Sequence, residues 1–468
     1  MIIKLTFWWI ILLMMFLRGV IKKFRGDADV RYLYVSLFIV AAPFSFNWMV
    51  LALTNEAFIR GRVTSVALGR FRNEVDISVA FAISAILILV GYYKLKKKSF
   101  SFASNRWLYA LLFFCIVSYI NPYNIFKPAL LAVFGLVVPL ALLFKLYEAN
   151  FDKQAILKGA FDGLAILTII NAALCICYPM MGIKEAATII YGQGGINSSL
   201  RREGYPSAIG ILDHPNGLGF MSIIPIAFFV SCYLKNYGNK AIVASLILTS
   251  MFVCFFTFSR SSYLGIFIAI ITLLAVYYNK NKKGFNRKVA ITGGLVVVGV
   301  LCLYFYLAEY ENLLLFNNVG EMLTARENHW LLGYEIWKQS KIIGIGLNTQ
   351  VYYLTHGSFN YTGASSGFAV NTAIHNIHII ILTETGVLGL ATWIWLLVTK
   401  FKTCLKFLKG ENTEADIFMM AFFAMLIGII LIGFVDISPS SLEVMPLLAF
   451  FGYFSNPDVL VKKAVKSN

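Results

Sequence analysis

The sequence predicts an all-α fold, a polytopic membrane helical bundle of about twelve to thirteen transmembrane helices with one large extracytoplasmic loop at 308–375. Three observations predict it. Hydrophobic residues make up 59% of the 468 and charged residues 13%, with mean hydropathy +0.75, a balance foreign to soluble cores. About thirteen apolar stretches recur, near 5–17, 32–53, 76–93, 107–120, 126–144, 155–178, 216–234, 241–257, 262–278, 289–307, 376–399, 416–436 and 442–454, several long enough for a hydrocarbon core of roughly 30 Å. The segments between them alternate sharply in Lys and Arg content.

Taken in order, the first stretch has only Lys4 before it, no small-residue cleavage site, and a basic run from Arg18 to Arg31 behind it. It reads as a retained anchor with its N-terminus outside, or as an interfacial helix that leaves twelve spans. Pro43 in the second stretch is expected to kink or break that helix, because proline lacks an N–H and its ring crowds the preceding turn. The basic segments 18–31, 94–106, 145–158, 235–240, 279–288, 400–415 and 455–468 are assigned to the cytoplasm. That leaves 54–75, 121–125, 179–215, 258–261, 308–375 and 437–441 outside. Within 308–375, "TARENHWLLGYEIWKQS" spaces Trp330, Leu331, Tyr334 and Trp337 as a helix lying at the interface, and the Gly-rich "GIGLN" follows as an irregular loop. No repeat or low-complexity tract interrupts the single integral membrane domain expected over 1–468.

A formal net charge of +17 would suggest nucleic acid in a soluble protein. Here 27 of the 40 basic residues fall in the short cytoplasmic segments, so membrane lipids are the expected partner and no nucleic-acid role is read. Only five of those 27 are Arg, against eight of the thirteen external cations. Lysine suffices to set topology, whereas a planar guanidinium holds a phosphate by two parallel hydrogen bonds. The bias points to an outward cavity for a phosphorylated ligand, with scatter in a small sample as the bland alternative. The seven Cys lie in apolar runs or at their edges and are expected to be small core residues. All five His, at 214, 329, 356, 375 and 378, fall in the two long external segments or at the mouth of the following span.

The motif "TFSRSSYLG" puts Arg260 between two apolar runs with almost no loop, so the charge either faces a wet cavity or a partner, or snorkels to the headgroups. Arg326 and Trp330, about one helical turn apart, share a face that would clamp a diphosphate and pack on a sugar, or else form a solvated surface. In "AIHNIHIIILTETGVLGLATWIWLL", His375 and His378 stand at the entrance to a membrane helix. A neutral imidazole, with an ordinary pKa of about 6.5, takes a proton from an attacking hydroxyl. A metal pair and a structural role are the alternatives, and no H-E-x-x-H or obvious third ligand supports a metal. Arg60, Arg62, Arg70 and Arg72, and Arg201, Arg202, His214 and Asn216 in "LRREGYPSAIGILDHPNGLG", read as further lining of an anion site.

Together "TFSRSSYLG", Arg326-x-x-x-Trp330 with "GIGLN" behind it, "HNIHIIILTETGVLGL" and "DHPNGLG" resemble the O-antigen ligase and polymerase superfamily, by motif over residues 200–400 and by architecture over the whole length. The resemblance implies a metal-independent, cofactor-free GT-C type glycosyltransferase in the bacterial cytoplasmic (inner) membrane, its active site facing the periplasm. Its donor would be a polyprenyl (undecaprenyl) diphosphate-linked oligosaccharide. Its acceptor would be a sugar hydroxyl of another lipid-linked glycan in a polymerase, the preferred reading, or lipid A core in a ligase. Carried over, Arg260 and Arg326 match the diphosphate-binding arginines and His375 the base. Arg201, Arg202, Asn216, Trp330, Asn376 and His378 are the expected substrate contacts. The Pro that the family often places before the "GIG" loop is missing from "QSKIIGIG".

Two rivals fare less well. A metal-dependent glycosyltransferase would want an external acidic pair, yet the only Asp-x-Asp, Asp27 and Asp29, falls in a basic segment assigned inside. A flippase or transporter would bury ionisable residues near the midplane, whereas this chain concentrates Arg and His outside.

Overall fold

A computed structural model describes residues 30–43, 45–48, 75–78, 140–181, 201–202, 205–212, 214–281, 319–346, 350, 374–407, 413–436, 444–456 and 459, with 14, 17, 18, 21, 113 and 117 singly. Most of the stretches 5–17, 76–93, 107–120 and 126–144, all of 289–307, and Arg60, Arg62, Arg70, Arg72 and His356 lie outside the described residues. The elements in chain order are α1 (Arg31–Ala41), β1 (Ser45–Trp48), β2 (Val75–Ser78), α2 (140–150), α3 (Lys153–Met181), β3 (Arg201–Arg202), β4 (Tyr205–Pro206), α4 (Pro215–Leu234), α5 (Lys240–Phe255), α6 (Arg260–Asn281), α7 (Val319–Gln339), α8 (Ile377–Phe407), α9 (Thr413–Ile432) and α10 (Met445–Phe454). The fold is a helical membrane bundle. Among the described residues, strands form two short antiparallel pairs, β1 with β2 and β3 with β4. Lys153–Cys177, Pro215–Leu234, Ile377–Lys406 and Ala415–Ile432 are long and apolar enough to cross a membrane, and α1, α5 and α10 are shorter apolar helices.

Small residues and polar pins set the packing. Glycines four apart on α3, Gly159 and Gly163, let it lie against α1: a Cβ on Gly159 would fall 2.5 Å from Val35 Cβ, and one on Gly163 would fall 2.7 Å from Ile39 Cβ. The two helices therefore run parallel at backbone contact, as small-xxx-small surfaces permit in membranes. Asn171 Oδ1 accepts from the Ile211 amide, which fixes the segment before α4 against the far part of α3. Helices α4 and α9 are antiparallel and tied at both ends, by Lys235 to Asp416 at one and by Asn216 to Asp436 at the other. Phe228, Phe418, Phe450, Phe451 and Phe454 interlock α4, α9 and α10 between those pins.

One end of the bundle gathers the basic segments. Arg18 pairs with Asp162, Arg31 with Asp152, Lys145 with Glu148 and Lys235 with Asp416; Lys400 donates to the Gly452 carbonyl, and Tyr453 bonds Glu148. The opposite end carries the start of α4, the α5–α6 turn, the start of α8 and the close of α9. Four of the seven basic segments, 18–31, 145–158, 235–240 and 400–415, contribute residues to these contacts.

Two of the apolar stretches are not single straight helices, the first in the way Pro43 predicts. The stretch 32–53 is not one helix: α1 stops at Ala41, a turn holds Ala42 and Pro43, and β1 begins at Ser45. Proline's missing donor and fixed φ end the helix there. The stretch 376–399 is also not one straight span. Gly386 has φ 68° and ψ −168°, and Trp393 Nε1 donates to His378 Nδ1 at 3.1 Å. In a straight helix those residues would be about 22 Å apart at 1.5 Å per residue. The two halves, 377–385 and 387–407, must fold back into a V with Gly386 at its apex, so the apolar length counted over Ile377–Lys406 is divided between a short arm and a long one.

Candidate active site

The motif-bearing end is built by four helix termini. His214 caps α4, its Nδ1 accepting the Asn216 amide at 3.1 Å, with Pro215 in the first helical position where no amide is needed. The Asn216 side chain donates to Asp436 Oδ2 at 2.7 Å, joining the start of α4 to the segment after α9. Three residues on, Gly219 faces α6 so closely that a Cβ would lie 2.7 Å from Ser262 Cβ and 3.1 Å from Ser259 Cβ. Those two serines, bonded to each other at 2.8 Å, flank Arg260, the first residue of α6. Phe258, with φ 50°, and Thr257, whose hydroxyl accepts the Ser259 amide, form the tight turn that delivers Arg260 here.

His375 arrives from the other side. Asn376 caps α8, its Oδ1 accepting the amides of His378 at 2.9 Å and Ile379 at 3.0 Å, while its Nδ2 donates to the Phe434 carbonyl at 3.2 Å. The Ile377 amide donates to Gly433. Residue 375 is thereby held beside the close of α9, two residues before the carboxylate that Asn216 reaches. Helix α7 then buries His329, Leu332, Gly333 and Ile336, a face of spacing i, i+3, i+4, i+7, with Gly333 against Ile374 and Ile379. His329 is buried, and its ring centroid is 4.9 Å from that of His375 at an interplanar angle of 56°.

The "GIGLN" loop locks this arrangement. Ile345 and Gly346 donate to the carbonyls of Thr383 and Glu384, and Val387 and Leu388 donate to those of Lys341 and Ile342. Glu384, buried, accepts the Gln350 amide at 3.0 Å, and Gln350 Oε1 accepts the Ile374 amide at 3.3 Å, one residue before His375. Ile345 and Gly346 thus brace the apex of the V, and Gln350 the base of the His375 turn.

The expected site residues divide three ways. Arg260, Asn216 and His375 stand at the same end of the bundle. Asn376 and His378 are spent on architecture. His378 Nδ1 accepts from Trp393, which leaves the proton on Nε2 to donate to the Ile430 carbonyl at 3.0 Å, so both ring nitrogens are committed within the protein. Trp330, with Leu331 and Tyr334, lies on the exposed stripe of α7, 40% accessible, away from the His329 face. On the same stripe Lys338 donates to Glu335, a bond that raises its ammonium above the usual range. Arg201, Arg202 and Arg326 have their backbones placed, in β3 and α7, while their side chains lie outside the described residues. His329, Asp436, Gln350 and Glu384 were missed as site-forming residues, because their partners are remote in sequence. Among the described residues, no three His, Cys, Asp or Glu side chains group as a metal site.

Residues 244–394, from α5 into the second half of α8, match a protein-family model described as O-Antigen ligase. The stretch contains Arg260, Arg326, Trp330, His375, Asn376 and His378, while Asn216 and Asp436 lie outside it. No curated protein matches the chain.

Proposed function

Because the segment carrying Arg260, Arg326 and His375 belongs to the O-antigen ligase and polymerase superfamily, we propose that the chain moves a glycan from a polyprenyl-diphosphate carrier to a sugar hydroxyl of another lipid-linked unit, on the outer face of the membrane and without a metal ion. What supports this reading is that Arg260, the Asn216–Asp436 pair and the His375–His329 pair lie at one end of the bundle, away from the Lys235–Asp416 pair.

The chemistry asks for little more. Polyprenyl diphosphate is a good leaving group, so the enzyme needs cations on the developing charge, a held acceptor and a base. Arg260 at a helix start and Arg326, about one turn before His329 on α7, are assigned to the diphosphate, and Arg201 and Arg202 to its approach. Each charged hydrogen-bonding contact of this kind contributes about 1.5–3 kcal/mol. His375 is assigned to the acceptor hydroxyl. Asn216 is assigned to holding Asp436 at the mouth, and Trp330 with Tyr334 to seating α7 at headgroup level.

Arg260→Ala and Arg326→Ala are expected to abolish chain extension with the protein still inserted, and His375→Ala to bind donor without transferring it. Full activity in Arg326→Lys would argue against bidentate recognition. The family description favours a second reading, transfer to lipid A core or another acceptor. Deleting the gene separates the two on a gel of surface glycan. A single repeat on the anchor means polymerase; full-length polymer left on the polyprenyl carrier means ligase.

A further inference from the structure

We propose that His329 is a positioning residue for His375: its imidazole fixes the plane of the base and keeps that base free of a proton in the resting enzyme. The inference rests on the assignment of His375 as base and adds a residue to it. The other positions of the same α7 face are apolar and buried: Leu332 and Ile336 are closed off from solvent, and Gly333 lies against Ile374 and Ile379. An aliphatic side chain at 329 would complete that stripe. The chain instead buries an imidazole there, with 8% of its surface exposed and its ring 4.9 Å from that of His375.

Two rings so close do not both take a proton freely. Charge repulsion at that separation lowers the affinity for the second proton by about one to two pH units at intermediate dielectric. A neutral His375 is what the transfer step requires. The acceptor hydroxyl gives its proton to the His375 ring, the acceptor oxygen bonds to the anomeric carbon, and the bond from that carbon to the diphosphate oxygen breaks. Its electron pair leaves with polyprenyl diphosphate, and the proton passes from His375 to water as product departs. Because both rings are held by the α7–α8 contact, the base meets the acceptor in one orientation.

The test uses the full-length protein in lipid nanodiscs, with protons as the only ligand. The chain has five histidines, so 15N imidazole resonances are few, and that of His375 is identified by its loss in His375→Asn. The charged or titratable groups nearest the two rings along their own elements are Arg326 and Glu327 on α7 and His378 and Glu384 on α8, with Arg260 of α6 and Asp436 after α9 at the same end. In His329→Asn the midpoint of His375 is expected to rise by about one pH unit and its titration to become a single step. His329→Gln serves in place of a variant that does not fold. Glu384→Gln and Asp436→Asn each remove a carboxylate and are expected to lower the midpoint or leave it in place. An unchanged His375 titration in folded His329→Asn or His329→Gln overturns the proposal. Glycan transfer separates the two levels: an active His375→Ala defeats the base assignment itself, whereas an inactive His375→Ala with a titration indifferent to His329 defeats only this inference.

Discussion

Replacing Gly386 by alanine tests the folded-back form of α8 most sharply. The residue has φ 68° and ψ −168°, a region essentially closed to side-chain-bearing residues, which costs about 1–3 kcal/mol. An added Cβ would also run into the backbone of Ile342 and come within 2.5 Å of the Ile343 nitrogen, so the loop itself must retreat. Retreat would sever the bonds from Val387 and Leu388 to Lys341 and Ile342, at about 1 kcal/mol each. The sum is about 3–5 kcal/mol. Thermal unfolding of the purified protein in detergent, followed by circular dichroism, should show Gly386→Ala well below wild type. Gly428→Ala is the control: its Cβ would meet only Ile223 at 3.9 Å in a regular part of α9, so its stability should equal or slightly exceed wild type. Equal stability of Gly386→Ala and wild type would refute the V-shaped helix and, with it, the bracing of His375.

Gly163→Leu should separate α1 from α3, because its Cβ already meets Ile39 and the Ser36 carbonyl; a loss of about 2–3 kcal/mol in the same melt is expected, with Ala at 163 intermediate. Asn216→Asp places a second carboxylate against Asp436 and should destabilise the mouth, while the exchange Asn216→Asp with Asp436→Asn restores a donor and an acceptor and should recover most of the loss in a double-mutant cycle. Trp393→Phe removes the donor to His378 Nδ1 and should cost about 1 kcal/mol without abolishing glycan transfer, whereas loss of all transfer in a stably folded Trp393→Phe would return His378 to the catalytic group.

Much of the scaffold was legible because a membrane makes hydropathy decisive. The apolar stretches 216–234 and 241–257 meet α4 and α5 almost residue for residue, and the helical spacing of Trp330, Tyr334 and Trp337 falls within α7. Pro43 announced the end of α1 through its missing amide. Gly386 gave no such warning, since both halves of α8 are apolar and a lone glycine inside an apolar run passes for a tolerated one; only its φ and the docked loop reveal an apex. The site was readable in part for a related reason. A cation beside hydrocarbon, such as Arg260, stands out in one dimension, but the bonds that tie Asn376 and His378 to the carbonyls of Phe434 and Ile430 join residues more than fifty apart and leave no mark in the sequence. His329 stayed hidden because its partner is a ring on another element, and periodicity reports a face without naming what meets it.

The central claim is that guanidinium groups and an imidazole at one mouth of the bundle perform metal-free glycan transfer. Transfer from a polyprenyl-diphosphate glycan by purified protein in nanodiscs, measured in excess chelator for wild type and His375→Ala, tests it most directly. Undiminished transfer by wild type, with bound but untransferred donor in His375→Ala, is the predicted result. Transfer that stops in chelator and returns with a divalent ion, or persists in His375→Ala, would contradict it.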